Sequence, residues 1–229
     1  MRAGQALQEF MGFQFDIASS PRRRHPNLSF NASGNLTFTY PARFPNKLEN
    51  TKLYIQKNQS YLAKCRQRIL RKVQENQAAL QAALQDYLSS HPAHLLVFDK
   101  PLEVSSLSIG ILSSLLYERG YSMICTLARL MGLEFKSLKV SYAKSYLGQC
   151  NRGHIKIDYR TVLCSENLLR YLLVHELSHL RHPNHSKSFW REVEQYHPNC
   201  REARSQLKAT VVRNTEILRH YDLLPKTLK

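Results

Sequence analysis

The chain has 229 residues, of which 43% are hydrophobic, and its formal net charge is +16, from 33 Lys and Arg against 17 Asp and Glu. This length and apolar content exclude a largely disordered protein and predict one large domain or two small ones. The apolar runs are too short to span a membrane, and the N-terminal residues lack the uninterrupted apolar stretch of a signal peptide.

The charge and the cysteines indicate where the protein acts and what it meets. Five cysteines without a CxxC pair do not form a disulfide framework, so we expect reduced thiols and a cytoplasmic location. The excess of Lys and Arg predicts either a solubilising surface or a non-specific partner with phosphates, such as nucleic acid or nucleotides. The basic run at 64–72 is the candidate surface for such contacts, through Arg66, Arg68, Arg71 and Lys72.

The N-terminal half alternates first like strands and then like a helix. We expect residues 1–21 to form a tail. Apolar and polar residues alternate on both sides of Ser33-Gly34, which predicts a β-hairpin of strands 27–31 and 35–40. From about 48 to 89 there is no Gly or Pro and apolar residues recur at helical spacing, so one long helix or two should follow.

The C-terminal half predicts a mixture of helices and short strands. We expect residues 22–105 to form an N-terminal region and residues 106–229 a core, together one continuous unit. The core should contain a helix broken at Gly120, and Ser165 should cap a further helix over 166–181. Short strands are expected at 94–98, 102–104, 138–143 and 154–158, the last two joined by a turn containing Gly148 and Gly153, and mostly helix after 186.

The segment HELSH, residues 175–179, carries the clearest chemical signal. On a helix, His175 and His179 lie one turn apart on one face, where two neutral imidazoles can bind one Zn²⁺. Glu176 lies beside the first ligand and can accept a proton from the water that the metal activates. The pattern predicts a zinc hydrolase whose metal ligands include both histidines and whose catalytic base is Glu176.

A third protein ligand is needed, and the sequence offers several. His182 is close in sequence, but Pro183 disfavours helical geometry at the residue before it. A helix that ends at 181–182 and reverses through Asn184 would return His185 to the metal. We therefore predict His185 as the third ligand, with His182 in the turn, while Glu192 and Glu194 are the alternatives further along the chain.

The stretch KSYLGQCNRGHIKIDYRTVLCSENLLRYLLVHELSHLRHPNHSKSFW, residues 144–190, resembles the YgjP-like metallopeptidases, relatives of the SprT-like and WLM zinc proteases. That family reads KTRWGSC, a strand, and then YVVVHELAHLxHxNHSxxFW. The segments RRRHPNLSF, SGNLTFTYP and KLYIQKNQSYL also resemble its N-terminal region, so the resemblance extends over most of residues 22–200. It departs at Tyr146-Leu147, where the family has Arg-Trp.

The resemblance implies an α+β fold with a zincin-like core, in which the HExxH helix packs on a small mixed or antiparallel sheet after an N-terminal β-hairpin and long helix. It implies that His175, His179 and His185 bind zinc, that Glu176 is the general base, and that a strand edge receives an extended peptide. Phe189 and Trp190 match the family's aromatic pair, for which we expect a packing role.

Three functions remain open from the sequence. A zinc metallopeptidase is favoured; a nucleoside triphosphate pyrophosphatase or phosphohydrolase on the same site is the alternative, because fold does not fix function. The third is a zinc-stabilised nucleic-acid-binding protein, although a structural zinc site would more usually be closed by four protein ligands. For a peptidase, the donor that stabilises the oxyanion has four candidates, Tyr142, Lys144, Tyr146 and Lys187.

Overall fold

A computed structural model describes residues 7–143 and 146–226. Contacts between residues divide the chain into two compact units, residues 1–82 and 83–229, and the boundary falls within one long helix. That boundary differs from the division at 105/106 suggested by the sequence, because side chains late in the helix, such as Leu84 and Tyr87, pack in the core of the second unit.

The first unit is a four-stranded sheet with the first part of the long helix α1. The strands lie in the order β1-β2-β4-β3, and β2 and β4 are parallel while the other pairs are antiparallel. Phe15, Leu36, Ile55 and Leu62 are fully buried in its core. The elements are β1 (Gln8–Phe10), β2 (Phe13–Ser20), β3 (Asn27–Phe30), β4 (Leu36–Pro41) and α1 (Lys47–Ser90).

The predicted hairpin and long helix are present. The expectation that residues 1–21 form a tail is wrong for the part that the structure describes. Residues 7–20 include two strands, and the described part of the segment is therefore structured. Phe13 and Phe15 are buried, whereas Gln14 between them is exposed, which is the alternation of a half-buried strand. The alternation is short, and it is the signal that could have predicted this strand. Within α1, the backbone leaves helical geometry at Asn58.

The second unit contains the HExxH segment. Helices and strands alternate irregularly along it, and its three-stranded sheet has the order β7-β9-β8, with β7 parallel and β8 antiparallel to β9. The elements are β5 (His94–Val97), β6 (Lys100–Glu103), α2 (Ile109–Met131), β7 (Ser137–Ser141), β8 (Gly148–Asn151), β9 (His154–Asp158), α3 (Glu166–Ser178), α4 (Lys187–Tyr196) and α5 (Cys200–His220). Short 3-10 helices span Val104–Ser106 and Tyr159–Leu163.

Two predictions for this unit are wrong in detail. The segment between β7 and β9 is not only a turn, because Gly148–Asn151 forms the edge strand β8. Helix α2 is not broken at Gly120; a Cβ there would lie 3.1 Å from the Ile157 side chain and 3.3 Å from that of Leu138. The glycine thus lets the helix pack closely on the sheet, and burial of the surrounding helix outweighs its low helix propensity.

The predicted α+β class is confirmed, with α3 packed against the small mixed sheet and against α2 and α5. The core of this unit is continuous and includes Tyr159, Leu173, Val174, Leu177 and Phe189, all of which are fully buried. Within the described ranges, no helix has both the length and the apolar character needed to cross a membrane.

Candidate metal centre

Helix α3 is positioned by capping at its start and by a turn at its end. The Ser165 hydroxyl accepts a hydrogen bond from the Leu168 backbone N–H at 3.4 Å, as the N-cap prediction requires. Regular helix ends at Ser178, and His179, although the C-cap, keeps right-handed helical dihedrals. The first and second histidines therefore still share one face, although the helix ends three residues earlier than expected.

The turn after α3 returns His185 to the other two histidines. The ring centroids of His175, His179 and His185 lie 4.9 to 5.1 Å apart. One nitrogen from each lies within 4.8 Å of the others, and the two Nε2 atoms of His175 and His185 are 3.1 Å apart. A tetrahedral metal with bonds of 2.0–2.1 Å separates its nitrogen ligands by about 3.3 Å, so these three side chains fit a zinc ion.

A phenylalanine lies against all three imidazoles. The Phe189 ring, fully buried on α4, lies 4.6 to 4.9 Å from each histidine ring, measured between centroids. Trp190 stacks on His185 at 5.7 Å with an interplanar angle of 22°. These contacts agree with the packing role expected for the aromatic pair. They also limit the rotation of the imidazoles.

The tautomer of His179 suits a metal ligand. Its Nδ1 lies 3.0 Å from the backbone carbonyl of His182, and because a carbonyl only accepts, Nδ1 carries the proton and Nε2 keeps its lone pair. Metal-binding histidines commonly donate their other ring N–H to a carbonyl or carboxylate in this way, which orients the ring. His182 thus contributes its backbone, while its Nε2 lies 3.0 Å from Glu192 Oε2.

Glu192 and Glu194, the alternatives to His185 as third ligand, lie in other contacts. The carboxylate of Glu192 is buried and also receives a hydrogen bond from Arg181 Nη1 at 2.6 Å. Glu194 is exposed and lines a different cavity from the three histidines. Neither carboxylate joins the histidine cluster in the described part of the chain.

Glu176 lies beneath the edge strand β8, and Gly148 makes room for it. A Cβ at Gly148 would lie 2.6 Å from Glu176 Cδ and 2.8 Å from Cγ, with Oε1 closer still. Only 3% of Glu176 is exposed. The glycine that the family pattern shares with this chain therefore has a steric reason, because any side chain would displace the carboxylate.

Burial sets the protonation of the two groups that start the motif. It raises the pKa of Glu176 to about 8 and lowers the pKa of His175 to about 3, the latter with help from the neighbouring histidines. A neutral imidazole is the form that binds a metal. A cation beside a buried carboxylate favours its ionised form, so metal binding would counteract the effect of burial on Glu176.

A buried ion pair at the end of β9 contacts the backbone of Ala143. Asp158 is fully buried, accepts a hydrogen bond from the Ala143 N–H at 2.9 Å and pairs with Arg160 Nε at 2.6 Å. Arg160 also donates to the Ala143 carbonyl at 2.7 Å. These bonds hold the backbone at Ala143. Tyr146 lines two of the cavities at the histidine cluster.

The other oxyanion candidates are less well placed. The Tyr142 ring lies below the Arg160 guanidinium at 5.4 Å, and Lys187 lines a cavity that none of the three histidines borders. Lys144 lies outside the described residues. Among the three candidates that the structure describes, only Tyr146 lines cavities shared with His175.

Residues 114–210 match the family model described as "YgjP-like, metallopeptidase domain". The match covers 97 of the 229 residues, so the similarity to this family is to one part of the chain. A further similarity is to the crystal structure of the metallopeptidase zymogen of Pyrococcus abyssi abylysin, at 25% identity over 42% of this chain and 97% of that one, with a TM-score of 0.39. That limited similarity does not define the fold. No curated protein matches the chain.

The YgjP-like match spans α3, the HPNH turn and α4, and it extends from within α2 into α5. The resemblance seen in the sequence is therefore confirmed for the part of the chain that carries the histidines. The matched segment is therefore similar to a metallopeptidase domain.

Sequence reasoning missed the contribution of α5 to the candidate metal centre. Arg204, Leu207, Lys208 and Val211 line a cavity together with His175, although they lie about thirty residues further along the chain. Their spacing, i, i+3, i+4 and i+7, predicts one helix face. The spacing alone does not indicate what that helix face contacts.

Proposed function

We propose that the chain is a zinc peptidase in which His175, His179 and His185 bind the metal and Glu176 is the general base. One observation supports this proposal: three imidazoles converge around one point. The buried carboxylate of Glu176 lies beside them and is not a member of the cluster. Three neutral nitrogen ligands with one position left open are typical of catalytic zinc. We also propose that the protein works in the cytoplasm, where its five free cysteines would stay reduced.

A zinc ion at this position would supply Lewis acidity, which polarises the scissile carbonyl and lowers the pKa of water. Glu176 accepts one proton from the attacking water, whose oxygen forms a bond to the carbonyl carbon. When the C–N bond breaks, Glu176 returns this proton to the leaving nitrogen, so one water is consumed for each peptide bond. The position of Glu176 under β8 holds the carboxylate for both transfers.

Tyr146 is the donor we assign to the developing oxyanion. It lines both cavities that His175 and Glu176 border, and a phenol can donate one hydrogen bond. Tyr146 stands where the family has Arg, so this chain would stabilise the oxyanion with a neutral side chain. Tyr146→Phe should therefore lower kcat with little change in zinc content.

The test separates peptide from phosphoanhydride chemistry. Protein stripped of metal by a chelator and reloaded with Zn²⁺ is incubated with an unfolded protein and, separately, with nucleoside triphosphates. We expect peptide fragments, detected by mass spectrometry, from the reloaded protein and none from the stripped protein. Metal-dependent phosphate or pyrophosphate release without peptide fragments would instead support the phosphohydrolase alternative.

A second partner is favoured by the solvent-exposed face of α1. Between residues 52 and 72 the helix carries seven Lys and Arg and no Asp or Glu. Arg68, Arg71 and Lys72 are exposed, whereas Arg66 donates to the Gly12 carbonyl at 3.0 Å and is partly buried. We propose non-specific nucleic acid binding by this face, which should weaken steeply with salt. An Arg68/Arg71/Lys72→Ala variant that retains the full salt dependence would contradict it.

A further inference from the structure

Cavities of different character border the candidate metal centre. The first, here called the strand-side cavity, follows β8 and is lined by residues 146, 148–153, 179, 180, 183 and 185 as well as by His175 and Glu176. The second, the helix-side cavity, has a volume of about 470 Å³ and shares His175, Glu176 and His185 with the first. A substrate that crosses the metal would therefore meet two different surfaces.

The helix-side cavity has an apolar floor provided by α5. Leu207 and Val211 are buried there, and Val212, which is 53% exposed, adds a methyl-rich surface beside them. Leu147 and Leu172 complete the aliphatic lining. A cavity of this size and composition suits one apolar side chain, because burying it removes apolar surface from water.

Cations line the helix-side cavity and a neighbouring one that shares Arg204 with it. Arg204 and Lys208 line the cavity itself, and Arg204 also lines a neighbouring cavity of about 520 Å³, here called the basic cavity. Lys187, Arg191 and Arg201 line the basic cavity, where Glu194 is the one acidic residue. Within residues 7–143 and 146–226, none of these five cations forms an ion pair.

Arg204 connects the basic cavity to the metal centre. Its guanidinium lies 5.0 Å above the Trp190 ring, and Trp190 in turn stacks on His185. The cation–π contact holds this positive charge one side chain away from a proposed ligand. The strand-side cavity, by contrast, has Arg152 as its single Lys or Arg.

We infer that the preferred substrate is a polypeptide with an apolar side chain beside the scissile bond, followed on that side by acidic residues. The apolar side chain occupies the helix-side cavity, and the carboxylates contact Arg204 and the other cations of the basic cavity. This inference rests on the proposed peptidase function and names the substrate class of the same site. The overall charge of +16 would by contrast favour acidic residues on either side of the scissile bond alike.

Matched peptides test the inference. All peptides of one set have the same Leu beside the scissile bond. They differ only in the residues beyond this Leu on the same side of the bond, which are Asp in one peptide, Asn in the second and Lys in the third. A parallel set varies the other side, and a further peptide replaces the Leu by Asp. We expect kcat/KM to fall from acidic to neutral to basic flanks in one set, by up to about fivefold for each exposed cation engaged, and less at high salt.

Charge reversal with a matched control identifies the cavity. Arg204→Glu should invert the preference towards the Lys peptides while zinc content stays unchanged. Lys139→Glu makes the same charge change on β7, the opposite edge strand from β8, where Lys139 is exposed and lines none of the three cavities. This control should keep the acidic preference. If Arg204→Glu does not fold, Arg191→Glu, on the surface of α4, gives the same test.

The outcomes separate the inference from the proposed function. Failure of the zinc-loaded wild-type protein to cleave any peptide contradicts the peptidase itself. Cleavage at equal rates whatever the flanking charge overturns the substrate inference and leaves the peptidase intact. An acidic preference that survives Arg204→Glu and Arg191→Glu also overturns it, because the preference would then arise elsewhere.

Discussion

Replacing Gly148 by alanine perturbs the candidate base without touching a proposed ligand. The added methyl would lie 2.6 Å from Glu176 Cδ and 2.8 Å from Cγ, well inside van der Waals contact. Glu176 is buried, so its side chain and β8 must separate by about 1 Å, and overpacking of this kind costs about 1–3 kcal/mol of stability. A displacement of about 1 Å at a reacting group lowers turnover by roughly 10²-fold.

The assay follows zinc content, thermal unfolding and peptide hydrolysis on the same preparation. We expect near-stoichiometric zinc, a lowered Tm and turnover reduced by roughly 10²-fold. Gly110→Ala is the matched control, because a Cβ there would meet Ser108 Oγ at 3.8 Å, which is an ordinary contact. Wild-type turnover in Gly148→Ala would show that the carboxylate does not need its place under β8, and would refute the steric argument.

Two other predictions concern the ligands and the buried ion pair. His185→Ala should strongly reduce zinc content, whereas His182→Ala should leave it near one per chain, because His182 contributes only its backbone carbonyl to the cluster; elemental analysis distinguishes them, and the reverse result would place the third ligand at His182. Asp158→Asn should destabilise the protein by about 3–5 kcal/mol, since it leaves Arg160 without its buried partner, and an unchanged denaturant midpoint would contradict this.

The histidine cluster was accessible from the sequence because its members are close along the chain. His175 and His179 share a face of one helix, and the Pro183-Asn184 turn is too short to carry His185 far away. Each step depends on local rules of helix geometry and helix termination, which act over a few residues. The structure accordingly brings together the three predicted histidines and leaves His182 in the turn.

The features that escaped prediction depend on distant contacts. Strand β8 is four residues long and contains Gly, Gln and Asn, so its strand geometry comes from pairing with β9 rather than from propensity. Gly120 suggested a helix break, but its close approach to Ile157 keeps it inside α2. The cavity lining from Arg204 and Val211 required knowing that α5 packs beside α3, which no local pattern specifies.

The turnover of Glu176→Gln, measured on protein with a full complement of zinc, tests the central claim most directly. The amide is nearly isosteric with the carboxylate but cannot take a proton from water, and the side chain is not among the proposed ligands. We predict zinc content equal to wild type and peptide hydrolysis reduced by about 10²–10⁴-fold, the usual effect of losing a general base. Hydrolysis at the wild-type rate by the zinc-loaded variant would contradict the account.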